Sequence, residues 1–339
     1  MSIQAVIDKI ETQFRESIFG QDQFLHAVTS VIRRDSYFRN HTHQPIACFY
    51  LAGPTGTGKT CAVETFARAL HQKPSTAPAP MILVNCGEYQ LEHEIAKLLG
   101  APPGYIGHRE TTPVITMIKL SQVMSDASNT AIILFDEFEK ASPALRDLLL
   151  GIMAGTQLQL GDGIKVGFGR CIIFFTSNLG AEALRNRQIG ILPTQRRRAT
   201  TIDWAELVRR RTSAEFVGRM TAFIPFEHLS RDVHARILDR TIGEIRNHAI
   251  QLSMDGGSNL DFYSTTATFT RPARRLLLDR LQESPTGARN LIRSVAQLLE
   301  EAYIEDYERR QSRAVCPTGL KFIRVGVRTV VKVLGERNK

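Results

Sequence analysis

Short apolar runs punctuate the first two thirds of the chain: Ala47 to Ala52, Met81 to Cys86, Ala131 to Phe135, Cys171 to Thr176 and Ala222 to Phe226. Turn residues and segments of helical spacing flank each run, the pattern expected of parallel strands buried on both faces of a doubly wound α/β sheet. Ahead of them, Ile3, Val6, Ile7, Ile10 and Phe14 recur at helical spacing with Asp8, Lys9 and Glu11 between them. This reads as an amphipathic helix and not as a signal peptide. Pro74 to Pro80 reads as a surface loop. Beyond about Phe226 the pattern becomes mainly helical, with Val233 to Ser253, Pro272 to Gln282 and Ala288 to Tyr307 as helices. Leu320 to Val325 and Arg328 to Leu334 then alternate and are expected to pair as strands. The expected organisation is a large α/β domain over residues 1–226 and a smaller, mainly helical domain with short terminal strands over residues 227–339.

Composition narrows the class without naming it. At 339 residues and 43% hydrophobic content, a full core is affordable in size, with room for a companion domain. No apolar run approaches the roughly 20 residues that span a bilayer. The longest, Leu148 to Gly155, is bounded by Asp147 and Thr156, so a soluble, cytoplasmic protein is expected. Cys48, Cys61, Cys86, Cys171 and Cys316 are odd in number and lack Cys-x-x-Cys spacing, and read as buried thiols in a reducing compartment. The net charge of +9 raises a nucleic-acid partner, since clustered Lys and Arg neutralise phosphates. The excess crowds into Arg185, Arg187, Arg196, Arg197, Arg198, Arg209, Arg210, Arg211 and Arg219, where Trp204 and Phe216 are the aromatics. So little stacking surface favours a solvated loop and helix face over a nucleic-acid groove.

The chemistry concentrates at strand ends. Gly53, Pro54, Thr55, Gly56, Thr57, Gly58, Lys59 and Thr60 follow the first strand and open a helix, matching the Gly-x-x-x-x-Gly-Lys-Thr phosphate loop in the context it requires. Such glycines let backbone N–H groups curl around anionic oxygens. Lys59 is placed to reach the β- and γ-phosphates of ATP, and Thr60 to ligate Mg²⁺ at the helix N-terminus. Downstream, Ile132-Ile-Leu-Phe-Asp136-Glu137 sets two carboxylates at the C-terminal end of an apolar strand, where open α/β sheets bind ligands. Asp136 suits the metal shell and Glu137 the orientation of an attacking water, because phosphoryl transfer needs a positioned nucleophile. Without the phosphate loop the same acids would read as a solvated turn. Asn178, just past the strand Cys171 to Thr176, falls at the same edge and can bond a γ-phosphate or water; alone, an Asn there is a turn residue.

These residues, with Gly100-Ala-Pro-Pro-Gly104-Tyr105-Ile106-Gly107 and Thr176-Ser-Asn178-Leu-Gly180, resemble the ATPase module in the C-terminal half of two-ring Clp unfoldases, of the AAA+ class of phosphate-loop NTPases. The resemblance runs through nearly the whole chain. It implies that Ile18 and Phe19, in Ile18-Phe19-Gly20-Gln21, contact adenine, and it continues through Ile32-Arg33-Arg34. In Ala214-Glu-Phe-Val-Gly-Arg219 it implies an arginine finger at Arg219 acting on a neighbouring subunit's nucleotide, and in Gly287-Ala288-Arg289 a lid arginine at Arg289. Gly104, Tyr105, Ile106 and Gly107 match a pore loop that grips a threaded polypeptide, an aromatic between glycines being free to swing and to bind any chain by dispersion. Gly161-Asp162-Gly163-Ile-Lys165 resembles a second pore loop and equally describes an ordinary hairpin. Ile189-Gly190-Ile191 stands where the family docks a peptidase ring, although Ile191 replaces the usual Phe or Leu. A loop whose isoleucines tuck back on the domain fits that stretch equally well.

The resemblance therefore implies a homo-oligomeric, hexameric, Mg²⁺-dependent ATPase acting on protein substrates, with a peptidase as a candidate partner and an adaptor that the sequence does not name. The N-terminal substrate domain, first ATPase module and coiled-coil middle domain of large Clp proteins have no counterpart in the sequence. Substrate choice is then expected to come from a partner, the N-terminal helix or the arginine-rich stretch. Two alternatives stay open at this point: a nucleic-acid motor or loader, and an assembly switch that recruits partners without threading.

Overall fold

The structure, a computed structural model, describes residues 3–38, 43–100, 113–179, 204–255, 266–269, 274–275, 277–279, 292–293, 295–297, 301, 319–325 and 328–334. The chain divides into two compact units, Met1–His228 and Leu229–Lys339.

The first unit is built on a sheet of five parallel strands, β1 (Ala47–Ala52), β2 (Ile82–Asn85), β3 (Ala131–Asp136), β6 (Cys171–Ser177) and β7 (Ala222–Pro225), in the order β2-β3-β6-β1-β7. Strands β4 (Leu158–Gln159) and β5 (Lys165–Val166) form a separate antiparallel hairpin. The sheet strands fall on the expected apolar runs, with small shifts at the ends. Cys86 leaves β2 to start a single helical turn, and β7 ends at Pro225.

Why these runs read as nearly continuous apolar sequence is plain from their packing. Successive side chains alternate between faces. Cys48, Tyr50, Ile133, Phe135, Ile173 and Phe175 enter one buried cluster, while Phe49, Leu51, Ile132, Leu134, Ile172 and Phe174 enter the other. The second face is covered by α1 (Ile3–Ser17), α2 (Asp22–Tyr37) and α3 (Lys59–Leu70), which contribute Val6, Ile7, Ile10, Phe14, Phe24, Val28, Val63 and Phe66. Phe24 sits at its centre, with ring centroids 5.4 Å from Phe14 and 5.7 Å from Phe174. The first face is covered by α4 (Ile95–Leu99), α5 (Met117–Gln122), α6 (Pro143–Met153), α7 (Trp204–Arg209) and α8 (Ala214–Gly218). Three of these carry Ser or Thr caps that satisfy an otherwise orphaned N–H: Thr116 accepts from Lys119, Ser142 from Leu145 and Ser213 from Phe216.

Of the cysteines expected to be buried, Cys48, Cys86 and Cys171 are, but Cys61 is exposed. Its helical position points it away from the sheet, between Thr60 and Ala62 on a helix that buries only one stripe. Cys316 lies outside the described residues.

In the second unit, α9 (Arg231–Asp255) covers and extends the helix expected over Val233 to Ser253. The terminal runs form β9 (Gly319–Val325) and β10 (Arg328–Leu334), paired antiparallel, and a strand the sequence reading did not anticipate, β8 (Thr266–Phe269), joins β9 in parallel. Among the described residues, no helix is long and apolar enough to cross a membrane.

Candidate nucleotide site

The strand register decides what meets at the C-terminal edge of the first unit's sheet. Ala52 lies level with Ser177 and Pro225, Asn85 with Asp136, and Phe135 with Phe175. The residues that follow, Gly53, Glu137 and Asn178, are therefore brought to one rim.

The turn from β1 into α3 closes tightly. Gly53 donates from its N–H to the Ser177 carbonyl at 3.2 Å, and Phe226 donates to the Ala52 carbonyl at 2.7 Å. A Cβ on Gly53 would lie 2.1 Å from the Phe226 carbonyl oxygen, so only glycine fits. Gly58 caps α3 in the left-handed region (φ 93°), and no side chain caps the helix. A left-handed glycine leading into a helix N-terminus is the geometry of an anion-binding turn. Within the loop, the Thr57 hydroxyl donates to the Pro54 carbonyl at 2.9 Å, and buried Gln21 reaches across from the start of α2 to the Thr57 carbonyl at 3.4 Å. Gln21 thereby ties the Ile18-Phe19 segment to the loop; both of those residues are half-buried, and Ile18 packs on the α1–α3 face of the core.

Lys59 is buried and its ammonium donates to the Gly53 carbonyl at 2.7 Å, the Pro54 carbonyl at 2.9 Å and Asn178 Oδ1 at 3.1 Å. Thr55 adds a hydroxyl donor to Asn178 Oδ1 at 3.3 Å. The Thr60 hydroxyl donates to both Asp136 carboxylate oxygens, at 3.1 and 3.3 Å. Thr176 supplies a second hydroxyl donor to Asp136 Oδ1 and accepts from the Glu137 N–H at 3.1 Å. A hydroxyl and a carboxylate at this spacing offer hard oxygen donors of the kind Mg²⁺ takes.

Glu137 stands in the left-handed region (φ 55°, ψ 46°), a sparsely populated conformation for a side chain of its kind. The Thr176 bond and the burial of the next residue hold it there. Phe138 is stacked on Phe216 at 4.8 Å and edge-on to Phe175 at 5.0 Å. The Glu137 carboxylate meets the Lys140 ammonium at 2.7 Å and holds its pKa above the ordinary lysine value. One residue past Phe138, Glu139 Oε1 accepts from the backbone N–H and the side-chain Nδ2 of Asn178, at 3.2 and 3.0 Å. The negative charge of this edge is felt by Cys86, whose thiol is pushed up to about 12 by burial first and then by Asp136 and Glu139.

Phe216 lies on α8, so the helix that ends at Arg219 is seated on the same aromatic cluster as the Glu137 turn. Arg219 itself pairs with Glu215 at 2.6 Å. Gln21 and Thr176 stand in motifs quoted from the sequence without a role of their own, and Glu139 is not among the residues that the motifs name. Glu139 was visible in the acid-rich run after β3, but only the turn at Phe138–Lys140 carries it back to β6. Gly104, Tyr105, Ile106 and Gly107, the tripeptide Ile189, Gly190 and Ile191, and Arg289 lie outside the described residues. The segment resembling a second pore loop is a hairpin tip, with Ile164 exposed and Gly161 donating to the Leu99 carbonyl at 2.9 Å.

Residues 44–223 match the family model described as AAA domain (Cdc48 subfamily). The chain belongs to this AAA domain family. It is a family of ATPases, and nucleotide binding comes with membership. The chain is 29% identical over 297 residues to the chaperone protein ClpB of Rhizobium meliloti (strain 1021), covering 88% of this chain and 31% of that protein. To the chloroplastic chaperone protein ClpC4 of Oryza sativa subsp. japonica it is 28% identical over 302 residues, covering 88% of this chain and 30% of that one. The chain thus spans about a third of the length of these curated relatives. Its fold is that of a chain in the closed-state cryo-EM reconstruction of Hsp104 with ATPγS and FITC casein, with a TM-score of 0.70 at 24% identity, covering 96% of this chain and 52% of that one. An AAA domain built on a parallel sheet and similar to Clp chaperones, as expected from the motifs, is what these comparisons bear out.

Proposed function

We propose that this AAA domain binds ATP with Mg²⁺ at the edge of β1, β3 and β6, hydrolyses it within a homo-oligomeric ring, and uses the cycle to pull on protein substrates. The observation that carries the reading is the convergence of two hydrogen-bonded pairs, Lys59 with Asn178 and Thr60 with Asp136, at the start of one helix.

In this reading the loop Gly53 to Gly58 wraps the phosphates and Lys59 exchanges its carbonyl partners for β- and γ-oxygens. Thr60 and Asp136 hold Mg²⁺, which when bound neutralises charge on the phosphates. Glu137 orients and activates the attacking water, and its bond to Lys140 must loosen before it can do so. Asn178 presents its amide to the γ-phosphate or that water. Ile18 and Phe19 border the adenine. Arg219 acts on the nucleotide of an adjoining subunit, consistent with its pairing to Glu215 and not to its own phosphate loop, and Arg289 senses nucleotide from the smaller domain. Tyr105, between Gly104 and Gly107, grips the substrate chain. A hexamer, and peptidase docking through Ile189 to Ile191, rest on sequence resemblance. Work on protein is supported by the Clp relatives and by the casein held in the Hsp104 reconstruction. Against a nucleic-acid groove stands Phe216, one of the two aromatics in the basic stretch, which is buried in the core and offers no face to a base.

The test of the chemistry is a pair of substitutions. Lys59→Ala is expected to abolish ATP binding, and Glu137→Gln to bind ATP and stall before hydrolysis. Normal turnover by Glu137→Gln would remove that residue as water activator.

A further inference from the structure

The carboxamide of Asn178 stands between two groups whose hydrogen-bonding character is fixed. A carboxylate only accepts and an ammonium only donates. Glu139 Oε1 therefore faces the amide nitrogen, at 3.0 Å, and Lys59 faces the amide oxygen, at 3.1 Å. The same Glu139 oxygen also takes the Asn178 backbone N–H at 3.2 Å, so main chain and side chain are gripped together at the point where β6 ends. One of the two Nδ2 hydrogens is spent on Glu139, and the other remains for a phosphate oxygen or a water.

Glu139 is not placed as a structural carboxylate would be. Its second oxygen, Oε2, is buried without a hydrogen-bond partner. It sits on the turn that carries Asp136 and Glu137, adding a third acid to a crowded edge, and buried Cys86 registers all three charges. An unpartnered buried oxygen costs stability, and a site retains such a feature where it serves the chemistry. The turn that fixes Glu139 is anchored by Phe138 in the aromatic cluster with Phe175 and Phe216, so the carboxylate is held on a rigid base.

We propose that Glu139 is a positioning residue for ATP hydrolysis: it locks the flip and direction of the Asn178 amide, so that Asn178 meets the reacting phosphate as a donor while its oxygen stays on Lys59. The proposal rests on the reading of Asn178 given above. It predicts that Glu139 acts on turnover through Asn178 and not on nucleotide affinity.

The experiment compares steady-state Mg²⁺-ATP hydrolysis and equilibrium ATP affinity for wild type, Glu139→Ala, Glu139→Asp, Glu139→Gln, Asn178→Ala and the Glu139→Ala/Asn178→Ala double variant. Asn178→Ala is expected to lower kcat on the order of 100-fold, as loss of one preorganised donor does. Glu139→Ala should approach that loss with ATP affinity within about threefold of wild type, since only the transition state is affected. The double variant should be no slower than Asn178→Ala, because two residues acting as one unit are not additive. Glu139→Gln, whose Oε1 can accept both N–H groups, should regain most of the loss. Glu139→Asp, one methylene short, should not, and it decides the matter if the alanine form fails to fold. Wild-type kcat in Glu139→Ala or Glu139→Asp beside a slow Asn178→Ala would overturn the positioning role alone. So would losses that multiply in the double variant, or a fall in affinity in place of kcat. Wild-type kcat in Asn178→Ala would overturn the site reading beneath it as well.

Discussion

Replacing Gly53 with Ala places one methyl group where the sheet edge and the phosphate loop meet. The added Cβ would stand 2.1 Å from the Phe226 carbonyl oxygen, 3.0 Å from its carbon and 3.1 Å from the Phe226 Cβ. Carbon and oxygen rest at about 3.3–3.6 Å, so the Phe226 peptide has to retreat by roughly 1 Å. That peptide donates to the Ala52 carbonyl at 2.7 Å, and its retreat strains the bond that closes the β1–β7 edge. Overpacking costs about 1–3 kcal/mol and a weakened hydrogen bond up to about 1 more, which gives roughly 1–4 kcal/mol. For a unit of this size each kcal/mol moves the melting temperature by about 2–4 °C, so a fall of roughly 2–16 °C is expected. The shift also moves the Gly53 and Pro54 carbonyls that hold Lys59, and ATP affinity should drop by at least about tenfold, or roughly 1.4 kcal/mol. Gly58→Ala is the control: its Cβ meets nothing within 4 Å, and only its left-handed φ of 93° is penalised, by about 1–2 kcal/mol. Thermal unfolding followed by circular dichroism, with titration of a fluorescent ATP analogue, measures both effects. A Gly53→Ala protein that melts with wild type, or a Gly58→Ala protein that loses more, would refute the steric argument.

Arg219→Ala is expected to leave ATP binding intact and to lower hydrolysis on the order of a thousandfold; mixed with Lys59→Ala protein it should regain turnover at interfaces joining an intact loop to an intact arginine, and mixed oligomers with no recovery would refute action between subunits. Thiol labelling separates the cysteines: burial pushes Cys48, Cys86 and Cys171 up to about 12, so at pH 8 only about one thiol in ten thousand is ionised and native-state iodoacetamide should spare them while modifying exposed Cys61. Peptide mass spectrometry reads the outcome, and native-state labelling of Cys171 ahead of Cys61 would contradict it.

The sheet was legible because its strands are buried on both faces and so stand out as unbroken apolar runs; Ala131 to Asp136 and Cys171 to Ser177 differ from expectation by a residue at their ends. The phosphate loop was legible because its spacing and its strand-to-helix context are local. What escaped depends on the turn. Thr176 reads as one more strand residue until the register sets its hydroxyl beside Asp136, and Glu139 reads as a surface acid until Phe138 is buried and folds it back to Asn178. Gln21 is a polar residue at a helix start whose partner lies in the phosphate loop, a pairing no local pattern announces. β8 escaped because Thr266 to Phe269 is only a four-residue segment, too short for its polar and apolar alternation to stand out from the chain around it. Cys61 misled because a cysteine in an apolar stretch is ordinarily buried, whereas here the stretch is an amphipathic helix.

The claim that ATP turnover is converted into work on protein is tested most directly at Tyr105. ATP-dependent unfolding of a tagged reporter is measured for wild type, Tyr105→Phe and Tyr105→Ala, alongside their hydrolysis rates. Tyr105 is far in sequence from the residues that gather at the nucleotide site, so all three proteins should hydrolyse ATP at similar rates. Dispersion from an aromatic ring depends on its area more than on its hydroxyl, so the Phe form should keep most of the unfolding activity and the Ala form should lose it. Equal unfolding by the Ala and wild-type proteins at equal ATPase rates would contradict the account and favour a switch that acts by assembly alone.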